Sequence, residues 1–359
     1  MDASEINLYR GSMRQVRYWI GRALKVGLIP MVQGSPGIGK SAMIRATAKD
    51  LNLKVLDDRV ATNGPEHYSG LPDVSGNKAV YKPFDVFPLE GDPLPKDENG
   101  NEMAGWLLYL SEFNSGLPTT LVGVYKLLQE REVGQRPLHS KVYIVADGNR
   151  DEDRAITQAL GSALQRRLLW LEAFVDGTQP THFDDFMQDV AIPQKWNTKT
   201  VAFLNWKRAY LNNFDPEHKD KTFACPGTWE WVSKLSDDEE PIAADAPLYC
   251  GAVGPVGVEY VNFCEEFGNL PDLASILADP RTAPIPDATE SQRQWAIIGM
   301  LIDETTDKNL SDLGDYVDRF SLEFRILYWR SVQIKHPHLR RDPAFIRAQT
   351  ALARYLFGE

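Results

Sequence analysis

The sequence predicts an α/β fold in which a parallel sheet with helices on both faces is followed by a helical region. Over the first half of the chain, short apolar runs typical of buried parallel strands alternate with helical segments. From about residue 179 the strand-like runs stop, and Pro, Asp and Asn separate helical segments instead. The predicted strands are Leu28–Gln33, Lys54–Leu56, Trp106–Leu110, Val142–Ala146 and Leu168–Leu171.

Helices are predicted where apolar residues recur at helical spacing. The first covers residues 14–27 and leads into the first strand, and the second covers residues 42–51. The remaining predicted helices of the first 270 residues are Thr120–Arg131, Ala155–Arg167, Phe183–Val190, Thr198–Asn212, Trp229–Leu235 and Tyr249–Phe267.

Residues 34–41 read GSPGIGKS, the full pattern of a phosphate-binding loop between a strand and a helix. Its glycines permit positive φ and close approach, so that backbone N–H groups can point at one anion. Lys40 supplies a positive charge for the β- and γ-phosphates, and Ser41 supplies a hydroxyl for Mg²⁺. A plain glycine-rich turn is the alternative, but the flanking strand and helix favour ATP or GTP binding. The predicted nucleotide ligands are Gly34, Ser35, Pro36, Gly37, Ile38, Gly39, Lys40 and Ser41.

Composition restricts the class of protein. The net charge of −11 argues against broad nucleic-acid binding, which needs a basic surface. Cys225, Cys250 and Cys264 lack metal-ligand spacing and are expected to be free thiols in a reducing compartment. The polar N-terminus and the lack of an apolar run of about 18 residues predict a cytoplasmic protein without a membrane span.

An NTPase of this kind needs acidic residues at the end of a second strand, close to Mg²⁺ and to the attacking water. The candidate segment, residues 106–112, reads WLLYLSE. Glu112 fits the position of the residue that activates the attacking water. The alternative interpretation is that Glu112 merely caps the strand. Ser111 occupies the metal-side position with a neutral hydroxyl, which is a much weaker ligand than a carboxylate.

Two further functions need polar residues near the γ-phosphate. Asn149 follows the strand Val142–Ala146 and can orient the attacking water, although a turn asparagine after Gly148 is the alternative. Arg166 and Arg167 precede the last strand, and an arginine at a subunit edge can reach a neighbour's phosphate site. Either arginine could instead form a surface ion pair.

The sequence resembles the AAA+ ATPases, and within them the MoxR-like branch that includes the CbbQ, NorQ and GvpN proteins. The resemblance extends from about residue 16 to residue 270. Besides the two motifs above, it rests on DDRVATNGPEHYSGLP (57–72), VYKPFDVFP (80–88), YKLLQEREVGQRPL (125–138), VADGNRDED (145–153), SALQRRL (162–168) and ACPGTWEWVS (224–233).

The resemblance implies roles and an architecture. Asn149 would be sensor 1, and Arg166 or Arg167 would be the arginine finger. Residues 1–175 would form the nucleotide-binding core, residues 176–277 the helical lid and residues 278–359 a C-terminal helical extension. Independently of the resemblance, residues 278–290 are rich in Pro and charge and predict a linker, and residues 291–358 predict two or three amphipathic helices. The family forms hexameric rings and commonly remodels or activates a protein client together with a von Willebrand factor A domain partner.

Two insertions also match the family. Residues 69–88 resemble its helix-2 insertion, with a hairpin turn at Ser75-Gly76-Asn77, and residues 130–141 resemble its pre-sensor hairpin. Both would face the pore or the target. Tyr81 and Phe84 are therefore candidate contact residues, although core packing is the favoured interpretation of both aromatic side chains.

Two departures from the family pattern leave two functions open. Ser111 replaces the Walker B aspartate, and Gly227 stands where the family has the sensor 2 arginine. Lys207, Arg208 or Lys234 could substitute for that cation. The first hypothesis is an ATP-hydrolysing ring that remodels a partner. The second is an ATP-binding assembly platform with little hydrolysis, because each positioned charge in such a site contributes several kcal/mol.

Overall fold

Six parallel strands form the sheet at the centre of the first part of the chain. The computed structural model describes residues 9–153, 158, 160–267, 270–287 and 289–356. The chain divides into two units, Met1–Phe174 and Val175–Glu359, and every strand lies in the first. The strands are β1 (Arg10–Gly11), β2 (Pro30–Gln33), β3 (Leu53–Arg59), β4 (Leu71–Asp73), β5 (Val80–Lys82), β6 (Gly105–Ser111), β7 (Glu132–Val133), β8 (Arg136–Pro137), β9 (Val142–Gly148) and β10 (Leu169–Ala173).

The strand order in this sheet is β1-β10-β2-β9-β6-β3, and every neighbouring pair is parallel. Strand β9 therefore lies directly between β2 and β6. Ligands of such sheets bind beyond the carboxyl ends of the strands. The ends of β2, β9 and β6 bring together the three segments in which the sequence predicts phosphate, sensor and acidic residues. The predicted fold class is confirmed: this is a parallel α/β sheet with a P-loop and a following helical region.

Helices cover the sheet as the alternation of strands and helices predicts. The helices of the first unit are α1 (Met13–Lys25), α2 (Lys40–Asp50), α3 (Pro65–Ser69), α4 (Pro118–Glu130) and α5 (Ser162–Gln165). Helix α1 starts at a capping box in which Ser12 accepts from the Gln15 backbone N–H. Only residues 162–165 of the helix predicted over Ala155–Arg167 form α5, and residues 155–157 and 159 of that prediction lie outside the described residues.

All seven residues of β6 are buried, and successive side chains point to opposite faces of the sheet. Trp106, Leu108 and Leu110 join a core cluster with residues of β9 and α4. The opposite face of β6 carries Tyr109 and Ser111. Because Tyr109 pairs with Val145 in register, Asp147 of β9 lies on the same face as Tyr109 and Ser111. Helix α2 packs on this face.

Both predicted insertions form antiparallel hairpins. Strands β4 and β5 pair from Leu71–Lys82 to Asp73–Val80, so the turn contains Ser75-Gly76-Asn77, and β7 pairs with β8. The core interpretation is wrong for Tyr81, whose side chain is 46% exposed. Phe84 is half-buried against the core cluster and stacks on the His67 ring at 5.6 Å. The difference follows from position, since Tyr81 belongs to β5 of the hairpin whereas Phe84 follows β5 and packs against the core cluster.

The described residues of the second unit form helices joined by turns and loops, and no strand. Its helices are α6 (Pro180–Phe186), α7 (Thr198–Trp206), α8 (Pro226–Asp238), α9 (Ala246–Val253), α10 (Val256–Phe267), α11 (Leu273–Ala278), α12 (Ser291–Asp303), α13 (Leu310–Val317), α14 (Leu322–Lys335) and α15 (Pro343–Leu356). Helix α12 packs against α7 and α10. The predicted lid and extension segments thus share one unit, and the boundary between residues 277 and 278 stays a prediction.

Three helix predictions in this unit are wrong in detail. The helix predicted over Tyr249–Phe267 is two helices, because Gly254 adopts φ 73° and Pro255 has no N–H to continue the ladder. The helix predicted over Thr198–Asn212 ends at Trp206, after which Arg208–Leu211 form a 3₁₀ turn. Residues 291–356 contain four helices instead of two or three. None of the described helices is long and apolar enough to cross a bilayer.

Candidate nucleotide-binding site

The GSPGIGKS segment connects β2 to α2, and its glycines are needed for two different reasons. Gly37 and Gly39 have φ of 74° and 97°, a region that residues with side chains rarely adopt. Gly34 does not have positive φ; a Cβ there would lie 2.5 Å from the Ala173 carbonyl oxygen. The loop delivers the chain to the N-terminus of α2 at Lys40. A helix N-terminus carries the partial positive charge that favours phosphate.

Lys40 joins two of the predicted functional segments. Its Nζ donates to the carbonyl oxygens of Gly34 at 2.7 Å and Ser35 at 3.0 Å, and to Asn149 Oδ1 at 3.2 Å. The residue is only 8% exposed, and this burial lowers the pKa of the ammonium group, with Asp147 acting in the opposite direction. The ammonium group lies over the loop at the place where phosphate oxygens would bind.

Asn149 follows β9 directly and is held against the phosphate loop. Its carbonyl oxygen accepts hydrogen bonds from Asn114 Nδ2 at 2.7 Å and from Gln33 Nε2 at 3.5 Å. A Cβ on Gly148 would lie 2.0 Å from Asn114 Oδ1, so the glycine makes room for the Asn114 amide. These contacts place the predicted sensor beside Lys40.

Glu112 follows the last residue of β6 and adopts the left-handed conformation with φ 52°. Its side chain is 48% exposed and lies 3.8 Å from Arg59 Nε, while its backbone N–H donates to Asp147 Oδ1 at 3.0 Å. The carboxylate is therefore accessible at the carboxyl edge of the sheet. Ser111 is 6% exposed, and its Oγ has no hydrogen-bond partner among the described residues.

Two residues that the sequence reasoning missed lie next to these groups. The Tyr109 hydroxyl donates to Ser41 Oγ at 2.9 Å and also interacts with the Asp147 carboxylate. Asp147 is 5% exposed, and this burial raises the pKa of its carboxyl group although Lys40 and the Glu112 N–H act to lower it. Strand periodicity could have identified both, since Asp147 precedes Asn149 by two residues and Tyr109 precedes Ser111 by two.

Arg150 is a third residue that the motifs do not indicate. Its Nη2 donates to Ser35 Oγ at 2.9 Å and to Asp153 Oδ1 at 2.6 Å, and its Nη1 lies 3.4 Å from Glu172. The guanidinium group thus connects the segment after β9 to the phosphate loop and to β10. The local sequence NRDED does not distinguish Arg150 from an exposed arginine, so it does not predict this role.

Oxygen ligands suited to Mg²⁺ lie at one corner of this site. The hydroxyl of Ser41, in the first turn of α2, and the carboxylate of Asp147, on the same face of the sheet as Tyr109, lie there. Mg²⁺ is commonly bound by one or two carboxylates together with substrate phosphates and water. The residues present fit the cofactor that the phosphate loop implies.

The two finger candidates differ in their surroundings. Arg167 Nη1 donates to the Ala163 carbonyl oxygen at 2.8 Å, and its guanidinium group lies 4.6 Å from the Tyr125 ring centroid. Arg166 is exposed, and its side chain forms no hydrogen bond or ion pair with the part of the chain that the structure describes. Arg167 is thereby tied to α4, whereas Arg166 faces solvent.

The three cations considered for sensor 2 are paired with acidic residues inside the second unit. The distances are 3.6 Å from Lys207 Nζ to Glu259 Oε2, 3.1 Å from Arg208 Nη2 to Glu323 Oε1 and 2.6 Å from Lys234 Nζ to Glu230 Oε1. Gly227 occupies the first turn of α8, which agrees with the predicted position at the start of a helix. Replacement of sensor 2 by one of these cations stays a prediction.

No protein-family profile and no curated protein matches the chain. Solved structures with a similar course of the backbone include NtrX from Brucella abortus, at 14% identity and TM-score 0.36, covering 96% of this chain and 67% of that one. A proposed ATPase from Cytophaga hutchinsonii matches at 11% identity and TM-score 0.34, covering 88% and 79%. A single-residue mutant of RuvB from Thermotoga maritima matches at 10% and 0.35, covering 95% and 81%. These superpositions are loose and by themselves identify neither the family nor the activity.

Proposed function

We propose that the protein binds and hydrolyses ATP as an AAA+ protein of the MoxR type. The observation that carries this proposal is the convergence at Lys40, whose ammonium group bonds the phosphate loop and Asn149 together. Motif matching alone leaves the loop, the acidic strand end and the sensor separate in sequence. Their convergence at one edge of the sheet is what nucleotide hydrolysis requires.

Each residue has a role that its position supports. Lys40 and the N–H groups of the loop bind the phosphates, and the exposed carboxylate of Glu112 orients the attacking water and accepts its proton. Asn149 holds that water beside the γ-phosphate. The water oxygen forms the new bond to phosphorus while the bond to the ADP oxygen breaks. Bound Mg²⁺ would supply neutralisation of charge on the phosphate oxygens.

The resemblance to the MoxR-like branch extends the proposal to assembly. We infer a homo-oligomeric ring, hexameric in that family, in which Arg166 of one subunit completes the site of its neighbour. Arg166 suits this role because it faces solvent, whereas Arg167 is held by α4. The exposed Tyr81 on the β4–β5 hairpin is the matching candidate for contact with a client. The client would be a protein, such as one with a von Willebrand factor A domain.

The second candidate function is an ATP-binding assembly platform with weak hydrolysis or none. Ser111 and Gly227 favour it, because each replaces a charged group of the family's site with a neutral one. Chaperone-like activity would then arise from the nucleotide-dependent ring instead of from turnover.

Steady-state ATP hydrolysis separates the two candidates. For the hydrolytic function, Glu112→Gln should reduce kcat by about 100-fold or more, since positioned acid–base groups contribute that much. Lys40→Ala should bind nucleotide about 10–100-fold more weakly, because it loses a charge-assisted hydrogen bond. Glu98→Gln, an exposed acid in the loop before β6, is the matched control and should behave as wild type. Equal slow rates in wild type and Glu112→Gln, with nucleotide bound in both, would instead establish the platform.

Mixed assemblies test the trans arginine. Arg166→Ala should keep ATP binding and lose turnover, while Arg167→Ala should retain turnover. Mixing Arg166→Ala with Glu112→Gln subunits should recover turnover, because some sites of a mixed ring then combine an intact Glu112 with an intact Arg166 of the neighbour. A chain that sizes as a monomer with ATP at micromolar concentration would remove the basis for this assignment.

A further inference from the structure

The acidic partner of the nucleotide's metal ion is missing from the strand where the sequence motif expects it. Ser111 ends β6 with a hydroxyl group, and its Oγ is buried without a hydrogen-bond partner in the described part of the chain. A serine hydroxyl cannot supply the charge that a hard divalent cation prefers. A carboxylate from elsewhere would have to face the same corner.

Asp147 lies at that corner. It belongs to β9, which is hydrogen-bonded between β2 and β6, and it faces α2 as Ser111 does. Its Oδ1 accepts the backbone N–H of Glu112 at 3.0 Å. The carboxylate therefore lies beside both the phosphate loop and the acidic strand end.

Tyr109 connects Asp147 to the metal-side hydroxyl of the loop. Its hydroxyl donates to Ser41 Oγ at 2.9 Å and interacts with the Asp147 carboxylate as well. Ser41 of α2 and Asp147 of β9 therefore both lie next to Tyr109, on one face of the sheet.

The burial of Asp147 is not matched by an ion pair. It is 5% exposed, and across the described residues no cationic nitrogen forms a salt bridge with it within 4 Å. Lys40 influences it only at longer range. Buried charges in proteins are paired or coordinate metals. An unpaired buried carboxylate at a nucleotide site is therefore a place for a cation to bind.

We propose that Asp147, with Ser41, binds the Mg²⁺ of the nucleotide, so that the acidic ligand lies on β9 instead of on β6. This inference rests on the proposed ATP binding and goes beyond it, because it assigns the metal to a residue outside the Walker motifs. Ser111 then fills space at the end of β6, and Tyr109 positions the Ser41 hydroxyl.

The test measures the metal directly, with Mn²⁺ in place of Mg²⁺. Electron paramagnetic resonance of free Mn²⁺ gives its affinity for the full-length protein saturated with a non-hydrolysable ATP analogue. Asp147→Asn should weaken Mn²⁺ binding by roughly 10-fold or more. Loss of a residue that only hydrogen-bonds to a metal ligand already costs about 10–100-fold in metal affinity. Analogue binding in EDTA should remain, because the asparagine Oδ1 can still accept the Glu112 N–H. Ser111→Ala is the matched control and should keep wild-type Mn²⁺ affinity.

A charge-relocation variant provides the second arm. Ser111→Asp in the Asp147→Asn background should restore Mn²⁺ affinity, because it returns a carboxylate to the same corner from β6. Wild-type Mn²⁺ affinity in Asp147→Asn, or its loss in Ser111→Ala, would overturn the inference while leaving ATP binding intact. A wild-type protein that binds no analogue, with or without metal, would instead refute the proposed function itself.

Discussion

Gly148→Ala tests whether the sensor segment is positioned as the structure shows. The added Cβ would lie 2.0 Å from Asn114 Oδ1 and 2.9 Å from Met31 Cε. Asn114 is 2% exposed, so its amide cannot move freely, and any rotation breaks its 2.7 Å bond to the Asn149 carbonyl oxygen. Overpacking costs about 1–3 kcal/mol. The lost hydrogen bond adds about 1 kcal/mol.

The expected sum is a destabilisation of about 2–4 kcal/mol, which corresponds to a fall of roughly 4–16 °C in Tm for a unit of this size. Differential scanning calorimetry and urea unfolding measure it. Gly21→Ala, inside α1 with no atom within 4 Å of the added Cβ, is the control. It should stabilise the protein by about 0.5–1 kcal/mol, because glycine weakens a helix interior.

A double-mutant cycle identifies the cause. In an Asn114→Ala background the obstructing amide is absent, so Gly148→Ala should be less costly by about 1–3 kcal/mol than in wild type. The flexible Met31 terminus can yield to the remaining contact. An equal cost in both backgrounds would refute the close approach of Asn114 to Gly148. The positioning of Asn149 would then need another explanation.

Two further predictions concern charge and thiol chemistry. Arg150→Ala should destabilise the protein by about 3 kcal/mol in urea unfolding, because it leaves the fully buried Asp153 carboxylate without its cation; an unchanged free energy of unfolding would show that this ion-pair group is dispensable. Iodoacetamide at pH 8 should label the half-buried Cys250 before Cys264, because burial raises the pKa of the Cys264 thiol to about 12 and the thiolate is the reactive form. Labelling of Cys264 should increase only as the pH rises toward that value. Mass spectrometry after digestion measures the order of labelling, and labelling of Cys264 before Cys250 would contradict the prediction.

The strands and the phosphate loop were predictable because their signals are local. The strands that form the centre of the sheet are continuous apolar runs, and the GSPGIGKS segment combines its glycines with the lysine and serine of one loop. Even Asn149 could be placed, since the carboxyl ends of neighbouring parallel strands meet at one edge.

Other features depend on tertiary neighbours. Asp147 was missed because motif reasoning sought the acidic residue on β6, and strand order is needed to know that β9 lies between β2 and β6. The break between α9 and α10 had a local signal in Gly254-Pro255, which the apolar periodicity on both sides concealed. The exposure of Tyr81 depends on where its hairpin lies in the fold, which composition does not encode.

Calorimetric titration of ATP and Mg²⁺ into the full-length protein and into Lys40→Ala tests nucleotide binding most directly. Wild type should bind one ATP per chain. Lys40→Ala, shown to be folded by circular dichroism, should bind about 10–100-fold more weakly, since a charge-assisted hydrogen bond contributes about 1.5–3 kcal/mol. Absence of ATP binding by the wild type, or equal affinity in the two proteins, would contradict the assignment of this loop as the nucleotide site.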